Sequence, residues 1–228
     1  MKDLPGGDMA VDWLKLFEEM STRLYSAALS DVLDEMGFRD QVVSPLLEIR
    51  PLRSDWVAAG RAKTLYNEFS PNAEDPYELA IAGLDQIEPG QVLIAGGSVE
   101  DLGIMGELSA HRLIQRGGRG AIVHGYSRDT RHLLDLGFPV FCKGGTPIDT
   151  TGRSRVTAVD VPVRFGNREI KPGQIVFADA DGIVLIPQEA EVEVINTALR
   201  RVEEETEVRN DLRGGSSFRE VWERYHIL

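Results

Sequence analysis

A single cysteine, Cys142, leaves no partner for an internal disulfide. No apolar run approaches the roughly 18 to 20 residues that a membrane-spanning helix needs, so no membrane association is expected. Positive charge is also scarce: 25 Lys and Arg stand against 37 Asp and Glu, for a formal net charge of −12 and a pI near 4.8. Such a surface repels a phosphate backbone, and no basic cluster offsets it locally, so nucleic acid is not an expected partner. The four histidines (His111, His124, His132, His226) show neither H-x-x-x-H nor H-E-x-x-H spacing. A zinc site built on imidazole is therefore disfavoured, and any metal would be held mainly by oxygen. The opening Met1-Lys2-Asp3-Leu4-Pro5-Gly6-Gly7-Asp8 lacks the basic-then-apolar order of a secretory signal. The cytoplasm is the expected location.

What is present suffices for a full core, since 42% of the 228 residues are hydrophobic. One domain is expected over residues 1–228, with a core of about 26–187 and a helical extension over 188–228. Leu29, Val32, Leu33 and Met36 repeat at helical spacing, with Ser26 placed to cap and Gly37 to end the helix. Residues 56–66 read as strand, 77–87 as helix and 91–95 as strand after the Pro89-Gly90 turn. A helical stretch then runs to Arg116, followed by the strand Ala121-Ile122-Val123, which favours a parallel crossover. Residues 156–165 read as a strand entering a hairpin at Gly166-Asn167, and 175–178 and 183–186 as a hairpin joined by Asp179-Ala180-Asp181-Gly182. A long helix over about 188–211 carries Glu203, Glu204, Glu205 and Glu207 near its end, where acidic groups oppose the macrodipole. Either these carboxylates are simply solvated, or one of them faces a cation in a neighbouring subunit. Ser217 and Glu220 form a capping box for a terminal helix.

Arg128 and Asp129 close the apolar run Ala121-Ile122-Val123-His124-Gly125-Tyr126-Ser127. Side chains of neighbouring strand residues point to opposite faces, so both reach one site only if the chain turns, and Gly125 is the expected turn residue. A carboxylate there can bind a hard cation such as Mg²⁺, and the arginine can grip a carboxylate with two parallel hydrogen bonds. On the dipeptide alone, a surface ion pair or a turn-stabilising aspartate is the simpler account. The glycine-rich segment of residues 96–109 leads from strand into helix, so its backbone N–H groups can receive an anion; a turn that merely lets strand and helix pack closely accounts for the spacing equally well. The segment lacks G-x-G-x-x-G spacing and a Walker lysine, which argues against nucleotide phosphates. Asp179 and Asp181 read as turn formers, Lys143 as an exposed loop lysine, and Cys142 as a thiol with no base nearby.

Taken together, Gly106-Glu107-Leu108, the stretch from Arg119 to Asp129, Pro139-Val140-Phe141, and the stretch from Pro172 to Pro187 resemble the RraA-like family over about residues 26–214. Its enzymatic branch holds the 4-hydroxy-4-methyl-2-oxoglutarate (4-carboxy-4-hydroxy-2-oxoadipate) aldolases. The resemblance implies an α/β fold like the swivelling phosphohistidine domain, with stacked β-sheets flanked by helices, assembled as a homotrimer or a dimer of trimers with sites between subunits. It also implies Asp129 as the ligand of a divalent Mg²⁺ or Mn²⁺ largely surrounded by water, and Arg128 as the residue that binds the pyruvyl oxygens of a small 2-oxo acid substrate. The backbone around Gly106, Glu107, Leu108 and Ser109 would receive the substrate carboxylate. Glu204 of an adjacent subunit, or Glu107, would serve as the base, acting on metal-bound water. The implied reaction is cleavage of a 4-hydroxy-2-oxo acid to pyruvate, with oxaloacetate decarboxylation as a side activity. The family also contains non-catalytic regulators of ribonuclease E, in which the aspartate after the arginine is replaced, and a lyase or hydratase of sugar-derived acids would use the same site.

Overall fold

The computed structural model describes residues 11–73 and 75–227. The chain begins with helices α1 (Trp13–Arg23) and α2 (Ser26–Glu35), and Leu29, Val32 and Leu33 of α2 are buried as their spacing requires. Ser26 is not the cap of α2. That position falls on Tyr25, and the Ser26 amide and hydroxyl both donate to the Asp179 carboxylate at 2.7 Å. A carboxylate 153 residues away thus satisfies the helix start. The same carboxylate accepts from the amides of Asp181 and Gly182, so Asp179 is a structural turn residue.

The chain folds about an eight-stranded mixed sheet. Its strands are β1 (Arg50–Pro51), β2 (Ala58–Phe69), β3 (Gln91–Gly97), β5 (Gly120–Val123), β7 (Val140–Cys142), β8 (Ser154–Val159), β11 (Ile175–Ala178) and β12 (Ile183–Ile186), in the order β1-β7-β5-β3-β2-β11-β12 with β8 also on β2. The pairs β2–β3, β3–β5 and β5–β7 are parallel. Two short pairs stand apart: β4 (Gly103–Met105) lies parallel to β6 (Tyr126–Ser127), and β9 (Val163–Phe165) antiparallel to β10 (Arg168–Ile170). The run 156–165 is therefore two strands, broken where Asp160 takes a left-handed φ of 55° ahead of Pro162.

Helices α3 (Glu78–Asp85), α4 (Glu107–Gln115), α5 (Thr130–Leu136), α6 (Glu191–Arg213) and α7 (Phe218–Tyr225) complete the chain, α7 with the expected capping box. Ala59, Phe177 and Val184, aligned across β2, β11 and β12, pack with α1, α2 and α6. Leu93 and Ala95 of β3 and Ala121 and Val123 of β5 pack instead with Ala110 and Leu113 of α4 and Leu133 of α5. The opposite residues of these strands, including Ile94, Ile122 and Val176, are covered by Val163, Phe165 and Ile170 of the β9–β10 hairpin. Each fully buried Val, Leu, Ile or Phe side chain among these contributes about 1.5–3 kcal/mol.

The acidic stretch of α6 is not at a helix end, because the helix runs on to Arg213, and the dipole acts only over the last turn. Glu203 pairs with Arg23, and Glu205 with Arg209 at 2.7 Å and with the Tyr25 hydroxyl. Glu204 and Glu207 are exposed and have no ion-pair partner among the described residues.

Candidate active site

The C-terminal ends of β3 and β5, adjacent parallel strands, lead into the two segments that carry the site residues, 98–109 and 124–129, as expected for ligand sites in parallel sheets. β4 and β6 hold these segments together, and the Arg128 amide donates to the Met105 carbonyl at 2.7 Å. The turn that lets Arg128 and Asp129 face one space is made by Asp129 itself, which takes a left-handed φ of 56°, a region where aspartate is enriched. Gly125 has a different task from the one its sequence position suggests. A Cβ there would lie 2.6 Å from the Ile104 side chain, so the glycine lets β4 come close.

Arg128, Asp129, Gly106, Leu108 and Ser109 line one cavity of about 490 Å³, within the range typical of small-molecule sites. The stem of Arg128 runs over Gly103, where a Cβ would fall 2.2 Å from Arg128 Cγ. Its Nη1 lies 2.6 Å from Asp149 Oδ1. Asp129 precedes α5 without capping it, so its carboxylate is free of its own helix. The Asp129 Oδ2 meets the Glu107 amide at 3.4 Å. Gly106, the N-cap of α4, has no side chain to bond the first turn, and past the Glu107 amide that Asp129 meets, the amides of Leu108 and Ser109 are available to an anion.

Glu107 turns its carboxylate along the helix to His111 Nε2, 3.2 Å away. Glu204, on α6, does not line this cavity. Among the described residues no group of three or more His, Cys, Asp and Glu gathers as a metal cage. Asp129 alone suits a cation of the Mg²⁺ type, which keeps several waters and takes one or two carboxylates.

Sequence reading missed several groups on the cavity wall. Asp149 follows Pro147-Ile148 in an irregular stretch with no period to mark it, and Tyr77 precedes α3 in the same way. Burial would raise the Asp149 carboxyl. Hydrogen bonds from Thr151, Tyr77 and the Thr150 amide, with the Arg128 charge, outweigh it and hold the group at about 2. Arg112, Arg155 and Asn67 also line the cavity, and Asn67 is buried on β2 with its amide nitrogen lacking a hydrogen-bond partner.

Outside the cavity lining, Lys143 is not the exposed loop lysine its sequence context suggests. Its Nζ lies 2.6 Å from Glu100 Oε2, and the same oxygen is 3.4 Å from Nε2 of buried His124 without hydrogen-bond alignment. Burial lowers the His124 pKa from its ordinary 6.5; Glu100 opposes this and Lys143 adds to it. Burial also raises the Cys142 thiol, which keeps it protonated and inert. The folded protein therefore holds His124 neutral where the unfolded chain takes up a proton, so stability falls as pH drops through the ordinary imidazole value. Thermal melts should show wild type losing more Tm than His124→Gln on acidification from about one unit above 6.5 to about one below. Parallel losses in both proteins would contradict this.

A family model described as Aldolase/RraA, RraA-like, matches residues 26–185. The chain belongs to the RraA-like family. It is 27% identical over 192 residues to a putative 4-hydroxy-4-methyl-2-oxoglutarate aldolase of Halalkalibacterium halodurans, covering 84% of each chain. It is 27% identical over 203 residues to the protein DlpA of Legionella pneumophila, covering 88% of this chain but only 32% of DlpA. Among solved structures it resembles Streptomyces coelicolor RraAS2, described as an unusual member of the RNase ES inhibitor RraA family. The TM-score is 0.73 and the identity 28%, over 86% of this chain and 98% of that one. The mixed α/β fold is that of RraA-family proteins. Among the described residues no helix is long and apolar enough to cross a membrane.

Proposed function

We propose that this protein is a divalent-metal-dependent lyase that cleaves a 4-hydroxy-2-oxo acid to pyruvate and a second carbonyl compound. The observation that carries this reading is the convergence of Arg128, Asp129 and the first turn of α4 on one cavity. Relatives named 4-hydroxy-4-methyl-2-oxoglutarate aldolase support the same reaction class.

The substrate carboxylate docks on the amides of Leu108 and Ser109, where the helix dipole adds to their attraction. Arg128 binds the pyruvyl oxygens with its planar fork. A base takes the C4 hydroxyl proton, the C3–C4 bond breaks with its electron pair moving into the pyruvyl group, and the resulting enolate is protonated at C3. Arg128 stabilises the charge that develops on the enolate oxygen. A Mg²⁺ or Mn²⁺ held by Asp129 supplies further electrophilic stabilisation of that charge when bound. Oxaloacetate decarboxylation passes through the same enolate and is the expected side activity. Glu107 is tied to His111, which leaves Glu204 of a neighbouring subunit as the better candidate for the base, in a homotrimer or a dimer of trimers.

The likeness to RraAS2 favours a second reading, a protein-binding regulator of a ribonuclease. Asp129 argues against it, since a regulator needs no cation ligand in a small-molecule cavity. Pyruvate release from dicarboxylic 4-hydroxy-2-oxo acids and sugar-derived acids, with and without EDTA, tests the proposal. We expect turnover on the dicarboxylic acids, abolished by EDTA and restored by Mg²⁺ or Mn²⁺. Turnover that survives chelation, or none on any substrate, would refute it.

A further inference from the structure

We propose that Asp149, anchored by Tyr77 and Thr151, is a positioning residue that fixes the Arg128 guanidinium for its anionic substrate. The proposal rests on the reading of Arg128 as the substrate-binding cation.

Arginine offers five N–H donors in a planar fork on a flexible stem, and catalysis requires that the fork be held where the substrate oxygens will lie. Both ends of Arg128 are constrained. The stem is seated over Gly103, with room only because that residue has no Cβ. The head meets Asp149, whose two oxygens do different work. Oδ1 lies 2.6 Å from Nη1 of Arg128 as an ion pair without hydrogen-bond alignment, while Oδ2 accepts from the Tyr77 hydroxyl at 2.9 Å and the Thr151 hydroxyl at 2.5 Å. Those hydroxyls come from two segments, one just before α3 and one two residues beyond Asp149.

This division separates a positioning group from an internal competitor. A carboxylate that mimicked the substrate would present both oxygens to the guanidinium in a fork-to-fork contact. Asp149 turns one oxygen away into the hydroxyl pair and holds the guanidinium by charge at the other, which leaves the N–H donors of the fork for the cavity. Tyr77, Asp149 and Arg128 all line that cavity, so the relay from hydroxyl to carboxylate to guanidinium borders the space the substrate would fill.

Asp149→Asn, Tyr77→Phe and the double variant should be compared in pyruvate release, with oxalate binding in the presence of Mg²⁺ measured by calorimetry as a readout independent of turnover. Asp149→Asn should lower kcat about 10- to 100-fold, because a misplaced catalytic group costs about that much, and it should weaken oxalate. KM should not fall. Tyr77→Phe should cause a smaller loss, and the double variant should be no worse than Asp149→Asn alone, since both act through one contact. Asp149→Glu should recover less than the parent but more than Asp149→Asn. Unchanged melting temperatures would separate these losses from unfolding. Tighter oxalate binding or a lower KM in Asp149→Asn would make Asp149 a competitor and overturn the proposal, as would unchanged kcat or additive losses. A wild-type protein that neither turns over nor binds oxalate through Arg128 would overturn the functional reading and this proposal together. An active wild type with an indifferent Asp149 would overturn this proposal alone.

Discussion

Arg128→Lys is expected to cut pyruvate release by about 10²- to 10³-fold, the usual cost of losing one preorganised donor to a developing oxyanion, while leaving the melting temperature near that of the parent. The charge is kept, so a loss of this size isolates geometry. Lysine carries three donors on a compact ammonium and cannot offer two substrate oxygens the parallel pair of N–H bonds that a planar fork provides. Its stem still fits over Gly103, where Arg128 already packs its Cγ and Cδ. The Asp149 partner is not left stranded, because Tyr77 and Thr151 keep hydrogen-bonding its other oxygen. Steady-state kinetics on the best substrate, with a thermal melt beside them, check the expectation. Near-normal turnover would mean that the enolate charge is met elsewhere.

The sequence carried most of the architecture because the architecture is built from local periods. The buried stripe of α2, the strand–helix–strand run through β3, α4 and β5, the β11–β12 hairpin and the Ser217–Glu220 capping box all follow from spacing within one element. What escaped depends on distant partners or on elements too short to have a period. β4 and β6 span three and two residues, yet they hold the two site segments together. Ser26 reads as a cap, and only the folded chain brings Asp179 to it. The same limit applies to the cavity. Arg128 and Asp129 stand out as a charged pair at the end of an apolar run, and the glycines of 96–106 mark the helix start that meets them. Asp149 and Tyr77 are 72 residues apart, and nothing near either one marks it as a wall of the cavity. Gly125 shows a subtler failure, since a glycine is needed there for close approach to Ile104 and the turn itself falls on Asp129.

Mixing two inactive variants, Asp129→Ala and Glu204→Ala, should restore activity once subunits exchange. Glu204 does not line the cavity of its own chain, and α6 packs with α1 and α2 toward the β11–β12 end of the sheet. Its neighbours Glu203 and Glu205 are occupied by Arg23 and by Arg209 with Tyr25, whereas Glu204 is exposed with no partner among the described residues. The solvated alternative remains the ordinary fate of such a glutamate, and this experiment separates the two. In a ring held by head-to-tail interfaces each site draws on two chains, so random exchange of equal amounts gives about a quarter of sites both intact groups. Each variant alone has none. A recovery approaching that fraction of parental turnover would establish that Glu204 completes a neighbouring subunit's site. A fully active monomer, or silence after exchange has been demonstrated by mass, would remove Glu204 from the site and leave the proton transfer to a group within the chain.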